Sequence, residues 1–258
     1  MNPFSFLAVP LFQKAFLACF LSGAGLSLVG IVVIHLHLTT IRFALMHVAL
    51  LGALAGIIVT SLFLGPAGDF IKIDMGITGA VFMTGSLGLA FLLFHWAGLR
   101  AMDAFALFTG SVLALETPDL WAIGVVTVMI WVVFIVFYRE IQMVLYDPQV
   151  AESLGVPVKR IRNGLLLLTG LAIGISMRIV GALLVDAAVL LPAIAALALG
   201  RSLKGALFYA ACFGILSQVG GLTASMLWDM PSGAAITLTA IVVLVLAGSW
   251  ARMVRRGV

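Results

Sequence analysis

The sequence predicts an all-α, polytopic membrane protein: one domain over residues 1–258, built as a bundle of about eight or nine transmembrane helices. Hydrophobic residues make up 64% of the 258 positions and charged residues only 9%. In soluble domains about 45–50% of the residues are apolar and about 25% are charged. Apolar runs of about 20 residues, the length that crosses a bilayer, recur along the chain. The composition excludes a soluble globule and a disordered chain, and no basic cluster is dense enough to bind nucleic acid.

Nine apolar runs are candidates for the helices of this bundle, and the two shortest are expected to be half or broken helices. Pro118 and Pro192 are expected to break helices at the short runs, and broken helices are found where a membrane protein lines a polar cavity. The runs cover roughly 15–36, 44–64, 75–97, 103–117, 119–138, 163–185, 188–200, 204–227 and 235–251.

The basic residues predict which loops face the cytoplasm. If the polar stretch 139–162 is cytoplasmic, alternation along the chain puts eleven of the fourteen Lys and Arg residues on that side. Lys14 and Lys72 then lie outside, and Arg178 lies within a span. This asymmetry follows the positive-inside rule and predicts a multi-pass protein with its basic loops in the cytoplasm.

The stretch from Asp147 to Gly155 predicts a short capped helix between two spans. Asp147 is a suitable N-cap with Pro148 at the first helical position, and Gly155 is suited to end the helix after Leu154. On the basic side of the membrane such a helix suits docking into a cytoplasmic partner, although an ordinary amphipathic loop helix has the same pattern. The chain has no G-x-x-x-x-G-K-[ST] phosphate loop, so any ATP would be bound by another chain.

Several motifs resemble those of one transporter family. The order D-P-x-x-A-x-x-L-G-[LV]-P at 147–157 resembles the coupling helix of the membrane subunits of bacterial ABC importers for zinc, manganese and iron. RIVGALLVDAAVLLPAIAA at 178–196, DMPSGAAI at 229–236, LFTGSVLALETPDL at 107–120 and ALMHVALLG at 44–52 also resemble that family's motifs, in the same order along the chain.

The resemblance implies a permease in the bacterial cytoplasmic (inner) membrane, not an enzyme. Two copies would pair as a homodimer, two ATPase subunits that bind ATP would dock beneath, and a binding protein outside would deliver the cargo, zinc or manganese. The chain would hold no cofactor of its own. The residues implied to couple the permease to the ATPase are Asp147, Pro148, Ala151, Glu152, Leu154 and Gly155.

His47 is the histidine that the family pattern carries, and neutral imidazole is a common ligand of transition metals. In the relatives an aspartate stands four residues earlier, on the same helical face. Here that position is Phe43, next to Arg42, so the metal site implied by the resemblance is incomplete. We expect either that His47 contacts the metal or that it packs inside the bundle, and that Phe43 narrows the path as a gate.

Asp186 is the second unusual polar residue, because an aspartate between apolar stretches needs a partner or a water-filled cavity. It is expected to serve as a hard oxygen ligand for the metal or to pair with Arg178. His35 and His37 are expected at the membrane interface. Because Phe43 removes one metal ligand of the family pattern, an importer of the same family for iron, cobalt, nickel or a chelated metal is the alternative within the family. A secondary transporter or channel without an ATPase is the alternative from another class.

Overall fold

The computed structural model describes residues 10–36, 84, 88, 92, 96, 115–180 and 182–256, and these ranges contain helices and no strand. Eight helices have bounds within them. They are α1 (Pro10–His35), α2 (Thr117–Val136), α3 (Tyr138–Tyr146), α4 (Pro148–Ser153), α5 (Val158–Val180), α6 (Ala182–Leu199), α7 (Leu203–Trp228) and α8 (Ser232–Arg256).

Four of these helices, α1, α2, α7 and the Ser232–Met253 part of α8, are long and apolar enough to cross a membrane. This finding confirms the all-helical membrane class for the described part of the chain. The runs at 44–64, 75–97 and 103–117 fall almost wholly outside the described residues, so the total of eight or nine spans stays a prediction.

Helix α1 lies at the centre of the described bundle, and nearly all of its second half is buried. It packs against α2, α6 and α7, while α8 covers α6 and α7. Glycines allow the closest of these approaches. A Cβ added to Gly23 would lie 2.7 Å from the carbonyl oxygen of Gly214 on α7, and a Cβ on Gly30 would overlap the carbonyl oxygen of Val189 on α6. Small residues at such crossings are typical of membrane bundles, where helices associate by close packing.

The two ends of the bundle differ in charge. At one end the Lys14 ammonium donates a hydrogen bond to Thr117 Oγ1 at 2.9 Å, which joins the starts of α1 and α2. At the other end Lys204 Nζ lies 5.2 Å from the centre of the Tyr138 ring, which joins the start of α7 to α3. We call this second end the basic end. The bases at this end whose side chains the structure describes are Arg139, Lys159, Arg160, Arg162, Arg201, Lys204 and Arg252.

Two expectations about broken helices need correction. Helix α6 continues through Pro192 from Ala182 to Leu199, so the prediction that this proline breaks the helix is wrong. Pro192 removes one hydrogen bond to the Ala188 carbonyl, but α1 packs directly on this turn, where Val189 and Ala193 meet Gly30. Neighbouring helices that hold the backbone make an internal proline tolerable in a membrane bundle.

The gap predicted between the runs 163–185 and 188–200 also needs correction. It lies inside α6, which is helical from Ala182 to Leu199, because apolar residues continue on both sides of it and hydropathy marks no boundary there. Pro118 lies in the first turn of α2, which begins at Thr117. At that position a proline is favourable, since the first N–H groups of a helix have no partner within it.

Candidate functional site

The polar segment that joins α2 to α5 is more ordered than the sequence suggested. Helix α3 follows α2 after Phe137, and it turns Ile141, Val144 and Leu145 into the core. We did not predict this helix. The i, i+3, i+4 spacing of those three apolar residues was the signal that would have shown it.

Helix α4 has the caps that its sequence predicted. The Val150 N–H donates to Asp147 Oδ1 at 3.0 Å, and Pro148 occupies the first turn. Gly155 has a φ of 81°, a left-handed conformation that favours glycine. The Val156 N–H then donates to the Ala151 carbonyl at 3.0 Å. The prediction of a short capped helix is confirmed, and the last helical residue is Ser153, with Leu154 as the C-cap.

One face of α4 is fixed to the protein and the other is open. Ala151 is completely buried, whereas Val150 and Leu154 are 49% and 66% exposed. Glu152 is also exposed, as is Tyr146 at the end of α3. We call Tyr146, Val150, Glu152 and Leu154 the α4 surface. Large apolar side chains that a rigid, capped turn holds in solvent are typical of a protein-interaction site.

The α4 surface is connected to the central helix. The rings of His35, at the end of α1, and Tyr146 lie 5.3 Å apart with an edge-to-face geometry. His35 Nδ1 lies 3.0 Å from the Ile31 carbonyl oxygen, which holds the imidazole against its own helix. The predicted interfacial histidine therefore has a protein neighbour as well. The end of α1 is therefore in contact with the end of α3, the helix that precedes α4.

A buried polar contact lies in the membrane-spanning part of the bundle. The Ser22 hydroxyl on α1 lies 2.7 Å from the Ala18 carbonyl oxygen and 2.9 Å from Gln218 Oε1 on α7. Gln218 is fully buried, and its Nε2 has no hydrogen-bond partner among the described residues; the same is true of the hydroxyl of buried Ser217. Sequence reasoning missed this contact, because the two partners are 196 residues apart in the chain.

The predicted metal residues are only partly located. His47 and Phe43 lie outside the described residues. Asp186 is in α6, and its neighbours Val185 and Ala187 are buried, but its side chain and that of Arg178 are outside the described part. In the ranges that the structure describes, no three His, Cys, Asp or Glu side chains form a metal-binding group. The roles of these residues stay predictions.

The helical fold and the apolar spans of the described residues define a helical membrane protein with a short, capped and exposed helix at its basic end. The sequence model of the ABC 3 transport family matches residues 7–251. The chain belongs to this family of metal ABC transporter permeases.

The similar proteins support the same class. The chain is 29% identical over 233 residues to the manganese transport system membrane protein MntC of Halalkalibacterium halodurans, covering 90% of this chain and 80% of that one. It is 29% identical over 138 residues to the high-affinity zinc uptake system membrane protein ZnuB of Haemophilus influenzae, and the match covers 54% of this chain and 53% of that one. The solved structure of PsaBC from Streptococcus pneumoniae in complex with Fab has the same fold, with a TM-score of 0.84, 23% identity and coverage of 94% and 92%.

Proposed function

We propose that this chain is the permease subunit of an ATP-driven importer that moves a divalent transition-metal ion, zinc or manganese, into the cytoplasm. The exposed, capped α4 is the observation that carries the proposal, because a short ordered helix with exposed apolar side chains at the basic end is suited to bind a cytoplasmic partner. The family match and the relatives named for manganese and zinc transport support the choice of cargo.

The α4 surface is the proposed contact with the ATPase subunit. Val150 and Leu154 supply apolar area that is in water in the isolated chain, and Glu152 supplies a charge between them. Burying a leucine side chain contributes about 1.5–3 kcal/mol. The buried Ala151 attaches α4 to the bundle and the Asp147 cap holds its first turn in helical form, so that a force on this surface would act on a folded helix and not on a flexible loop.

The other proposed partners follow from the two ends of the bundle. A binding protein outside the cell would deliver the metal at the end that carries Lys14 and Thr117. A second copy of the permease would complete the pathway in the bacterial cytoplasmic membrane. Large apolar side chains on α2 and α8 are exposed, among them Val128 and Leu246, and they suit either lipid or this second copy.

His47 and Asp186 are the residues proposed to contact the metal in transit, with Phe43 as a gate. An imidazole and a carboxylate are both ligands that zinc and manganese accept. Because Phe43 replaces the acid that the family pattern carries, the path would hold the ion weakly, which is compatible with release into the cytoplasm. The same replacement is the observation that favours a second candidate, an importer of this family for iron, cobalt, nickel or a chelated metal.

The α4 surface can be tested with the double variant Glu152→Ala/Leu154→Ala in the complex with the ATPase subunit. The expected result is an unchanged amount of membrane-inserted permease, about tenfold weaker copurification of the ATPase from the lost leucine contact, and loss of ATP-driven uptake. Leu216→Ala is the matched control, since Leu216 is 56% exposed, comparable to Leu154 at 66%, but lies on α7. Normal uptake by the double variant would refute the docking role.

A further inference from the structure

A cleft of about 530 Å³ opens at the basic end between α2, α3 and α7. Ile135 and Phe208 are strongly exposed, so the cleft is open sideways, in the direction in which the bilayer surrounds the bundle. Its volume is in the range of pockets that hold small molecules. Its walls are mainly apolar and include Leu28, Trp131, Phe134, Ile135, Leu207 and Phe208.

The mouth of the cleft carries more positive than negative charge. Arg139 and Lys204 line it, and Glu140 is the acid among the described lining residues. The ammonium of Lys204 lies 5.2 Å from the centre of the Tyr138 ring, a cation–π distance that holds this charge at the cleft. Trp131 and Tyr138 are the aromatic types that are enriched at the level of lipid headgroups.

The start of α7 adds to this positive field. The Gly205 N–H donates to the Ser202 side chain at 3.2 Å, which caps the helix. The first turn of α7 contains no acidic residue, and Lys204 lies in it. A helix N-terminus already has a partial positive charge that acidic residues usually offset. Here Lys204 adds a full positive charge to the partial charge of the helix N-terminus, so the mouth of the cleft is suited to bind an anion.

We propose that this cleft binds a phospholipid with an anionic headgroup from the leaflet at the basic end. The phosphate lies between Lys204 and Arg139, and one acyl chain lies along the apolar wall. Basic pockets between membrane helices recognise anionic headgroups in this way, and arginine and lysine form short, charge-assisted bonds to phosphate oxygens. The bound lipid joins the start of α7 to α3, the helix that leads into α4.

The test is native mass spectrometry of the full-length protein, extracted after reconstitution into vesicles of equal phosphatidylglycerol and phosphatidylcholine. We expect one retained phosphatidylglycerol per chain. The variant Arg139→Gln/Lys204→Gln should weaken this retention roughly 20- to 30-fold, since each basic side chain contributes about fivefold at a charged membrane surface. Lys159→Gln/Arg252→Gln, which removes two bases of the same end outside the cleft, should retain the lipid as wild type does.

A second pair of variants tests the apolar wall. Ile135→Trp should fill the cleft and reduce retention, whereas Val125→Trp, at a similarly exposed position of α2 outside the cleft, should not. Equal retention of both lipids by the wild type, or equal loss in both double variants, would overturn the proposal. If Arg139→Gln/Lys204→Gln keeps the lipid but no longer binds the ATPase subunit, the cleft is a protein-docking site and the lipid proposal is wrong.

Discussion

The crossing of α1 and α7 gives the sharpest test of the packing, through the variant Gly23→Ala. The new Cβ would lie 2.7 Å from the Gly214 carbonyl oxygen and 2.9 Å from the Ile215 nitrogen. Ordinary contact begins near 3.4 Å, so α7 has to move away by roughly 0.7 Å to restore favourable van der Waals distances. Both atoms belong to the backbone, so no side-chain rotation relieves the overlap.

The expected loss of stability is about 2 kcal/mol. Overpacking of this kind costs about 1–3 kcal/mol, and alanine recovers about 0.5–1 kcal/mol in helix propensity. The same displacement would stretch the 2.9 Å contact between Ser22 and Gln218, which lies one residue from the crossing. Loss of that hydrogen bond contributes about 1 kcal/mol.

Thermal unfolding of the purified protein in detergent measures this difference. For a chain of this size, a loss of about 2 kcal/mol lowers the melting temperature by about 4–8 °C. Gly248→Ala on α8 is the matched control, because its Cβ would meet no atom of the described residues within 4 Å, and it should raise the melting temperature slightly. If Gly23→Ala and Gly248→Ala melt at the same temperature, the close α1–α7 contact is wrong.

Three further predictions concern the candidate functional residues. Gln218→Leu should leave stability within about 1 kcal/mol of wild type in the same melting assay, because it removes a buried amide whose nitrogen has no partner in the described part of the chain while the Ser22 hydroxyl keeps its bond to the Ala18 carbonyl; a larger loss would contradict this reasoning. Asp147→Ala should destabilise α4 by about 1 kcal/mol through loss of its cap, detected as faster hydrogen exchange at Val150, whereas unchanged exchange would show that the cap is dispensable. Phe43→Asp should raise the metal content of the isolated permease, measured by elemental analysis, since it adds a carboxylate ligand; one tightly held metal in wild type would refute the argument from the missing acid.

The sequence predicted those features that depend on local chemistry. The caps of α4 were readable because Asp147, Pro148 and Gly155 each have a positional preference that holds in any fold. The membrane class followed from composition alone. By contrast, α6 is helical across the gap predicted at 185–188, because apolar sequence continues there and hydropathy gives no boundary.

Contacts between distant parts of the chain could not be predicted from the sequence. Nothing local in α7 indicates that Gln218 meets Ser22, or that Lys204 lies over Tyr138. The continuity of α6 through Pro192 also depends on tertiary packing, because it is α1 that covers this turn. The hypothesis that His47 and Asp186 contact the metal rests on the sequence, namely on the motif around His47 and on the isolated acid Asp186 in an apolar stretch.

The most direct test of the proposed function is metal uptake into vesicles that contain the permease and its ATPase subunit, with ATP inside and the binding protein with manganese or zinc outside. We expect the metal to accumulate only when ATP and an active ATPase are both present, and His47→Ala to reduce the rate without changing the amount of folded protein. Uptake that persists without the ATPase and follows an ion gradient would contradict the account, because the chain would then be a secondary transporter.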